Sequence, residues 1–513
     1  MAGESAAPAA APAPAVETPQ GEAVVATEDV RSRQEQKQAP HDDGPLYANR
    51  VKVYPKAVDG RMRRIKWGAL LGLLGLYYLV PWLRWDRGPN LPDQAVLIDM
   101  PARRAYFFFI EIWPQEVYYL TFLLMLAAFG LFLATSLFGR VWCGYACPQT
   151  VWTDLFMWVE RRIEGDRNAR IRLDSRPWSA DKLARKVSKH AVWLVIALLT
   201  GGAWAMYFND APEMVARFFT GQASLALYFF VGLFTATTYL LAGWAREQVC
   251  TYMCPWPRIQ AALLDEDSLV VTYRSWRGEP RGKHKKGESW EGRGDCVDCR
   301  QCVAVCPTGI DIRDGIQLEC IGCGLCMDAC DTVMDKVGRP RGLIAWDSER
   351  NLEREARGES PVLRLIRART IIYAALVAAV GLGMLYGLTT RGTIELNVLH
   401  DRNPLFVTLS DGSIRDGYEV KLLNKNREET EFALRVEGLE GARLDVVGLE
   451  GAAEGTASAL VTAPGDSVAS YRVFVQAPRD SLGDEATGID FVVENTVTGE
   501  IARRESVFRG PEQ

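Results

Sequence analysis

The chain has 513 residues, 48% of them hydrophobic and 24% charged, with a formal net charge of −5 and a mean hydropathy of −0.05. That length admits two to four domains, and the distribution of charge excludes a chain of uniform character. Residues 391–513 carry 13 Lys/Arg against 22 Asp/Glu, a balance of −9, so the remainder sums to +4. The twelve cysteines all fall between 143 and 330. This excludes a disulfide-stapled C-terminal domain and makes the cysteines candidate ligands.

Residues 1–45 are rich in Ala, Pro, Glu and Gln and contain no apolar run able to build a core, so a disordered tail is expected there. The tail lacks the basic and apolar regions of a signal peptide. Five segments are long and apolar enough to cross a hydrocarbon layer of ~30 Å as helices. They run approximately over Trp67–Leu83, Val117–Phe138, Ala191–Phe208, Leu225–Trp244 and Thr370–Leu388. Gly68-x3-Gly72 and Gly383-x3-Gly387 are low-specificity helix-packing patterns.

Lys and Arg set the expected orientation. The loop 140–190 carries 11 of them, the loop 84–115 carries 4, and 209–222 only Arg217. The N-terminus and the 140–190 loop are therefore placed in the cytoplasm. Five crossings then put 245–369 inside and 391–513 outside. The basic stretches 274–293 and 339–369 read as an inner-leaflet surface, with no need to invoke nucleic acid.

Between the second and third spans lies Arg140-Val-Trp-Cys143-x3-Cys147-Pro148. After the fourth comes Arg246-Glu-Gln-Val-Cys250-x3-Cys254-Pro255. The repetition suggests duplication of a span plus a Cys-x3-Cys-Pro element. If helical, each pair would share one face, and each proline suits the start of a new helix. A thiol near Arg and a helix N-terminus is expected to have a lowered pKa. Soft thiolates suit Cu(I), and four together suit zinc or an iron–sulfur cluster. The plainer reading is small buried packing residues. His190 starts the third span and is a weaker candidate neighbour of these cysteines. Glu111, Trp113 and Glu116 either anchor the interface or border a quinone site. His400 reads as a surface residue.

The strongest motif is Cys296-x2-Cys299-x2-Cys302-x3-Cys306-Pro307, repeated as Cys320-x2-Cys323-x2-Cys326-x3-Cys330. This is the bacterial ferredoxin run, and two copies predict two [4Fe–4S] clusters. Three thiolates of one loop wrap one cluster, while the fourth crosses to the other. The expected sets are Cys296, Cys299, Cys302 and Cys330 on one cluster, and Cys320, Cys323, Cys326 and Cys306 on the other. Gly322 and Gly324 allow close backbone approach to sulfur. A zinc ribbon would instead use two separated pairs. The second run ends in Asp331 where proline is usual.

Residues 391–513 alternate apolar and polar residues over Glu419–Leu423, Thr430–Val436, Ala442–Val447, Val468–Val475, Ile489–Glu494 and Glu505–Phe508. Gly, Asn, Asp and Pro separate these runs, as in an antiparallel β-sandwich. The expected domains are a tail over 1–45, a transmembrane domain over 46–268, a cytoplasmic two-cluster ferredoxin domain over 269–350, a linker and fifth span over 351–390, and an immunoglobulin-like sandwich over 391–513. No Walker loop, Rossmann fingerprint or hydrolase elbow is evident.

The Cys-x3-Cys-Pro elements, the two-cluster run and the final span with its sandwich resemble the cytochrome c oxidase accessory proteins of the CcoG/FixG/RdxA type. So do the stretches 85–99 (WDRGPNLPDQAVLID) and 107–116 (FFFIEIWPQE). The resemblance covers roughly 45–513. It implies a bacterial inner-membrane electron-transfer protein that reduces Cu(II) to Cu(I) for maturation of a cbb3-type oxidase. On that reading Cys143, Cys147, Cys250 and Cys254 handle copper, the sandwich is periplasmic, and the partners are oxidase assembly factors or copper chaperones. The electron donor and self-association stay open. A quinol dehydrogenase subunit of the NapH type and a redox-inert assembly scaffold are the rival readings.

Overall fold

The structure, a computed structural model, describes residues 52–88, 91–285, 287–448, 456–482 and 486–511. The tail expected over 1–45 lies outside these residues. From Tyr54 onward the chain forms one unit.

Among the described residues, five helices are long and apolar enough to cross a membrane. They are α1 (Arg61–Leu79), α2 (Tyr118–Phe138), a 27-residue helix at Ala180–Met206, a helix at Leu225–Thr238 that continues as a π-helical turn through Ala245, and one at Ala368–Thr390. A non-spanning helix, α3 (Pro148–Glu164), lies between α2 and the third span. The third to fifth spans are α4 (Ala180–Met206), α5 (Leu225–Thr238) and α6 (Ala368–Thr390). The first and third spans begin earlier than hydropathy alone suggests. Basic residues cannot be told from flanking anchors by composition, yet Arg63 and Lys66 are buried on α1 against protein.

Small residues decide where helices approach. A Cβ on Gly201 would lie 2.7 Å from the Val231 carbonyl, so this glycine lets α4 and α5 touch. Gly68, Gly72 and Gly383 face open space, while a Cβ on Gly387 would stand 3.3 Å from the Tyr119 hydroxyl. Gly68-x3-Gly72 is thus no close helix contact within this chain, and of Gly383-x3-Gly387 only Gly387 meets a neighbouring helix, at Tyr119 of α2.

The inserted domain is closed at its ends by β4 (Val270–Tyr273) pairing antiparallel with β5 (Ile344–Asp347). A small sheet between the first two spans consists of β1 (Val96–Asp99), β2 (Arg104–Phe107) and β3 (Ile110–Ile112). Residues 394–509 form two facing antiparallel sheets, ordered β10-β12-β8-β6 and β11-β9-β13-β14, with β7 beside β8. Here β6 is Ile394–His400, β7 Val407–Thr408, β8 Ile414–Asn424, β9 Thr430–Glu437, β10 Arg443–Val446, β11 Ser458–Ala463, β12 Ser467–Ala477, β13 Ala486–Asn495 and β14 Ile501–Arg509. Alternate inward residues such as Val420, Leu422, Phe432, Leu434, Val473 and Phe491 fill the space between the sheets.

Sequence patterning overlooked β6, β7 and β11. β6 follows the last span without a turn signal, and β11 is short and alanine-rich. His400 is not an ordinary surface residue. Its Nε2 lies 3.0 Å from the fully buried Asp416 carboxylate.

Glu116 pairs with the sandwich directly, while Glu111 and Trp113 hold Arg104, which donates to the Asp466 carbonyl of the sandwich at 2.6 Å. Lys425 of the sandwich donates to Glu116 at 2.8 Å and to Glu395 at 2.7 Å. The Arg104 guanidinium stacks 3.7 Å over Trp113 and pairs with Glu111 at 3.0 Å.

Candidate functional site

The two ferredoxin loops repeat a backbone device. Residues 298 and 300 of the first copy, and 322 and 324 of the second, all have left-handed φ angles: 50° and 52° for Asp298 and Arg300, 64° and 70° for Gly322 and Gly324. Each loop needs two reversals to wrap three thiols around one space. The second copy meets that need with glycine, which adopts the conformation without strain. The first uses Asp298 and Arg300, and Asp298 is held by Arg313 at 2.7 Å. A short helix follows each loop, α7 (Gln301–Val305) in the first copy. The second loop is followed by α8 (Leu325–Val337).

Two cavities result. One is lined by Cys296, Cys299, Cys302 and Cys330, with Arg313. The other is lined by Cys306, Cys320, Cys323 and Cys326, with Cys302 on the shared wall. Among the described residues no three His, Cys, Asp or Glu side chains converge as they would on a single ion. The sulfurs surround a space, as thiolates around a polynuclear cluster do.

The surroundings fit such a group. Burial pushes the thiols of Cys302, Cys320 and Cys330 up to about 11, 12 and 12, so a thiolate there needs compensating cations. The Gly322 amide donates to Cys320 Sγ at 3.4 Å. The Lys66 side chain is 3% exposed on α1, its Nζ has no hydrogen-bond partner, and its charge favours the Cys323 thiolate against burial. An orphaned ammonium beside a thiol lining is what an anionic cluster would satisfy.

The second loop is pressed against the membrane domain. A Cβ on Gly144 would lie 2.9 Å from the Ile321 carbonyl. The Tyr145 hydroxyl donates to the Cys323 carbonyl at 2.9 Å. Arg140 donates to the carbonyls of Leu318 and Cys320, the latter at 2.8 Å. Asp328 of α8 accepts the Met62 and Arg63 amides at 3.1 and 2.8 Å, capping α1 from the other domain. Cys143 packs against the apolar cluster that contains Ile321 and Cys323.

Both Cys-x3-Cys segments are π-helical turns, Trp142–Ala146 and Val249–Met253, closed by Cys147 N–H to Trp142 and Cys254 N–H to Val249, each at 2.8 Å. The α-helical face expected for each pair is therefore replaced by a wider turn. Pro148 begins α3 as expected. Pro255 stands one position before the helix at Trp256–Leu263.

The pairs share one neighbourhood. Cys143 feels the charges of Cys147, Cys250 and Cys254, and its Sγ donates to Gln260 Oε1 at 3.0 Å. The expected lowering of thiol pKa is overturned. Burial, reinforced by neighbouring thiols, outweighs Arg140 and raises Cys143 to about 12 and Cys250 to about 11. Sequence shows the nearby Arg but not the depth of the site. His190 turns elsewhere, its Nδ1 2.8 Å from the Tyr239 hydroxyl.

A buried ion cluster, not foreseen from sequence, joins the two repeats. Glu160 on α3 pairs with Arg246 at 2.8 Å, with Arg170 at 2.7 Å and with Lys189 at 3.5 Å. Burial opposes its ionisation, yet Arg246, Arg170 and Lys189 together hold its carboxyl down at about 2.

Comparison with known proteins gives three family profiles. Residues 245–349 match a 4Fe-4S dicluster domain, residues 120–165 a 4Fe-4S binding domain, and residues 384–511 the IG-like fold at the C-terminus of FixG. Nitrogen fixation protein FixG of Rhizobium meliloti is 52% identical over 480 residues, covering 88% of this chain and 91% of that protein. Protein RdxA of Cereibacter sphaeroides is 52% identical over 447 residues, covering 86% and 92%. Protein RdxB of the same organism is 50% identical over 471 residues, covering 91% and 97%.

Proposed function

From the premise that the chain belongs to the FixG family of membrane iron–sulfur electron-transfer proteins, we propose that it reduces Cu(II) to Cu(I) for the maturation of a cbb3-type oxidase. The contact between the Cys320–Cys326 loop and the Cys143–Cys147 turn carries this reading, through Tyr145, Arg140 and Gly144. Cys296, Cys299, Cys302 and Cys330 would hold one [4Fe–4S] cluster, and Cys306, Cys320, Cys323 and Cys326 the other. When bound, such clusters take up and release single electrons near the thiols that hold them.

The chain's own residues supply the rest. Arg140 and Tyr145 fix the second loop against the membrane cysteines. Cys143, Cys147, Cys250 and Cys254 offer the copper substrate soft thiol ligands, no three of which converge on one point in this structure. Each Cu(II) takes one electron to become Cu(I), and sulfur ligands favour that product. The inserted domain lies on the cytoplasmic side and the sandwich on the periplasmic side, where it would meet assembly factors or copper chaperones.

The match of residues 120–165 to a 4Fe-4S binding domain favours a second reading, in which these four cysteines hold a further cluster. The experiment is to reduce anaerobically purified protein with dithionite, remove the excess and add Cu(II). Reoxidation of the protein with matching formation of Cu(I) is expected. No reoxidation by Cu(II) would refute the proposal.

A further inference from the structure

A cavity of about 380 Å³ opens where α1, α3 and the inserted domain meet. Its size is that of a small-molecule site. Its apolar end is formed by Trp67 and Trp158, whose rings stand edge-to-face at 6.2 Å. Trp67 lies inside the first membrane span, and Trp158 is 37% exposed on the outer surface of α3. This end therefore lies at the start of the first span, with Arg63 4.6 Å over the Trp67 ring and Arg162 5.5 Å over the Trp158 ring. The opposite wall includes Pro307 and Leu325, sequence neighbours of Cys306 and Cys326.

The polar groups are mixed in sign. Arg63 is 6% exposed and spends Nη1 on both oxygens of the buried Asp154, at 2.9 and 2.8 Å. Its Nη2 is buried without a partner. Arg161 lines the same cavity, and its guanidinium has no hydrogen bond or ion pair among the described residues. Asp59, Asp154 and Asp166 also line it. Lys56, Arg63, Arg161 and Arg162 line the cavity with these three carboxylates, so the charges nearly balance and a phosphate would meet carboxylate as well as guanidinium. Unspent guanidinium donors, a carboxylate acceptor and indole walls suit a flat ring with oxygens at its edges that both donate and accept.

We propose that this cavity binds the ring of a membrane quinol, which serves as the electron donor. The inference rests on the copper-reducing reading and names the donor for it. Arg63 Nη2 and Arg161 donate to the ring oxygens, the indoles enclose the ring, and the isoprenoid tail leaves past Trp158 into lipid. Oxidation turns the quinol into the quinone with loss of two electrons and two protons. The electrons match the reduction of two Cu(II) to two Cu(I). The protons leave to water at the rim beside Asp59 and Asp166.

The test uses full-length protein purified anaerobically in nanodiscs, a photoreactive azidoquinone and decylubiquinone as competitor. The label is expected on peptides from α1 and α3, and excess decylubiquinone should suppress it. Arg161→Gln breaks no hydrogen bond or ion pair of the side chain, and removes a charge that acts on Asp154 and Asp166. It should weaken decylubiquinone binding about tenfold, the scale of one hydrogen bond to a charged group. Trp158→Leu should weaken it as well, with iron content kept in both variants. Label falling elsewhere, unchanged affinity in both variants, or an anionic phospholipid that occupies the cavity and displaces the label would overturn the proposal. Cu(II) reoxidation of dithionite-reduced wild type is scored separately. A protein that passes that assay but takes no label loses the quinol site and keeps the copper reading.

Discussion

The Tyr145 hydroxyl donates to the carbonyl of Cys323 across 2.9 Å, joining two cysteine motifs that are 178 residues apart in the chain. Tyr145 sits in the turn between Cys143 and Cys147, and Cys323 lines the cavity of the second ferredoxin run. The bond sets how closely the two thiol sites approach. Gly144 beside it allows no side chain, since any Cβ would strike the backbone of residues 321–323.

Gly144→Val should therefore separate the two loops while leaving every thiol in place. Iron content should stay at the wild-type level. Cu(II)-driven reoxidation should slow by about a hundredfold, the scale of a 1 Å misplacement of reacting groups. Stopped-flow absorbance after Cu(II) addition measures this. An unchanged rate would show that electrons do not pass across this contact.

Lys66 is the buried cation facing Cys323. Lys66→Met removes positive charge beside the second thiol set and should make any cluster there harder to reduce. A fall on the order of 60 mV is expected, one tenfold step for a one-electron couple. The group held by Cys296, Cys299, Cys302 and Cys330, which has Arg313 instead, should shift less. EPR-monitored redox titration separates the two. Equal shifts would mean that Lys66 acts on the fold as a whole.

Glu160 makes stability depend on acid. Its folded pKa of about 2 lies below its ordinary value of 4.5, so the group stabilises the protein above pH 4.5. That contribution fades as pH falls from 4.5 towards 2. Glu160→Gln leaves Arg170, Arg246 and Lys189 without their shared carboxylate and should cost about 3–5 kcal/mol near neutral pH. The variant should also lose part of the acid-dependent slope. Thermal unfolding across the pH series would show a parallel curve if Glu160 did not contribute.

Glu116 and Lys425 lock the sandwich to the membrane domain, their side chains 2% and 7% exposed. Lys425→Met alone leaves the Glu116 carboxylate with Arg391 at 3.6 Å as its cation and should destabilise by somewhat less than the ~3–5 kcal/mol of a fully stranded charge, whereas Glu116→Leu with Lys425→Met should recover much of the loss. Limited proteolysis near residue 391 reports the same coupling. No difference between the single and double variants would remove the pair from the account.

The twelve cysteines were legible because ligand spacing is written along the chain. The five spans were legible because lipid demands long apolar runs. What joins them was not. Arg140, Lys66 and Asp328 each act on partners far away in sequence, and nothing local distinguishes them from other basic or acidic residues. The thiols of Cys143 and Cys250 were misjudged for the same reason, since burial depends on what the fold stacks over them. Glu116 looked like an interfacial residue until the partner Lys425, 309 positions later, came to meet it.

The most direct test replaces Cys143, Cys147, Cys250 and Cys254 by serine and measures iron, Cu(I) affinity and Cu(II) reduction on one anaerobic preparation. Serine oxygen is hard and protonated where thiolate is soft. The account predicts iron at the wild-type level, about eight atoms per chain for two cubane clusters, with Cu(I) binding and Cu(II) reduction lost together. Copper chemistry that survives all four changes would make these cysteines packing residues. Iron that falls with them would make them ligands of a further cluster, and either outcome would contradict the account.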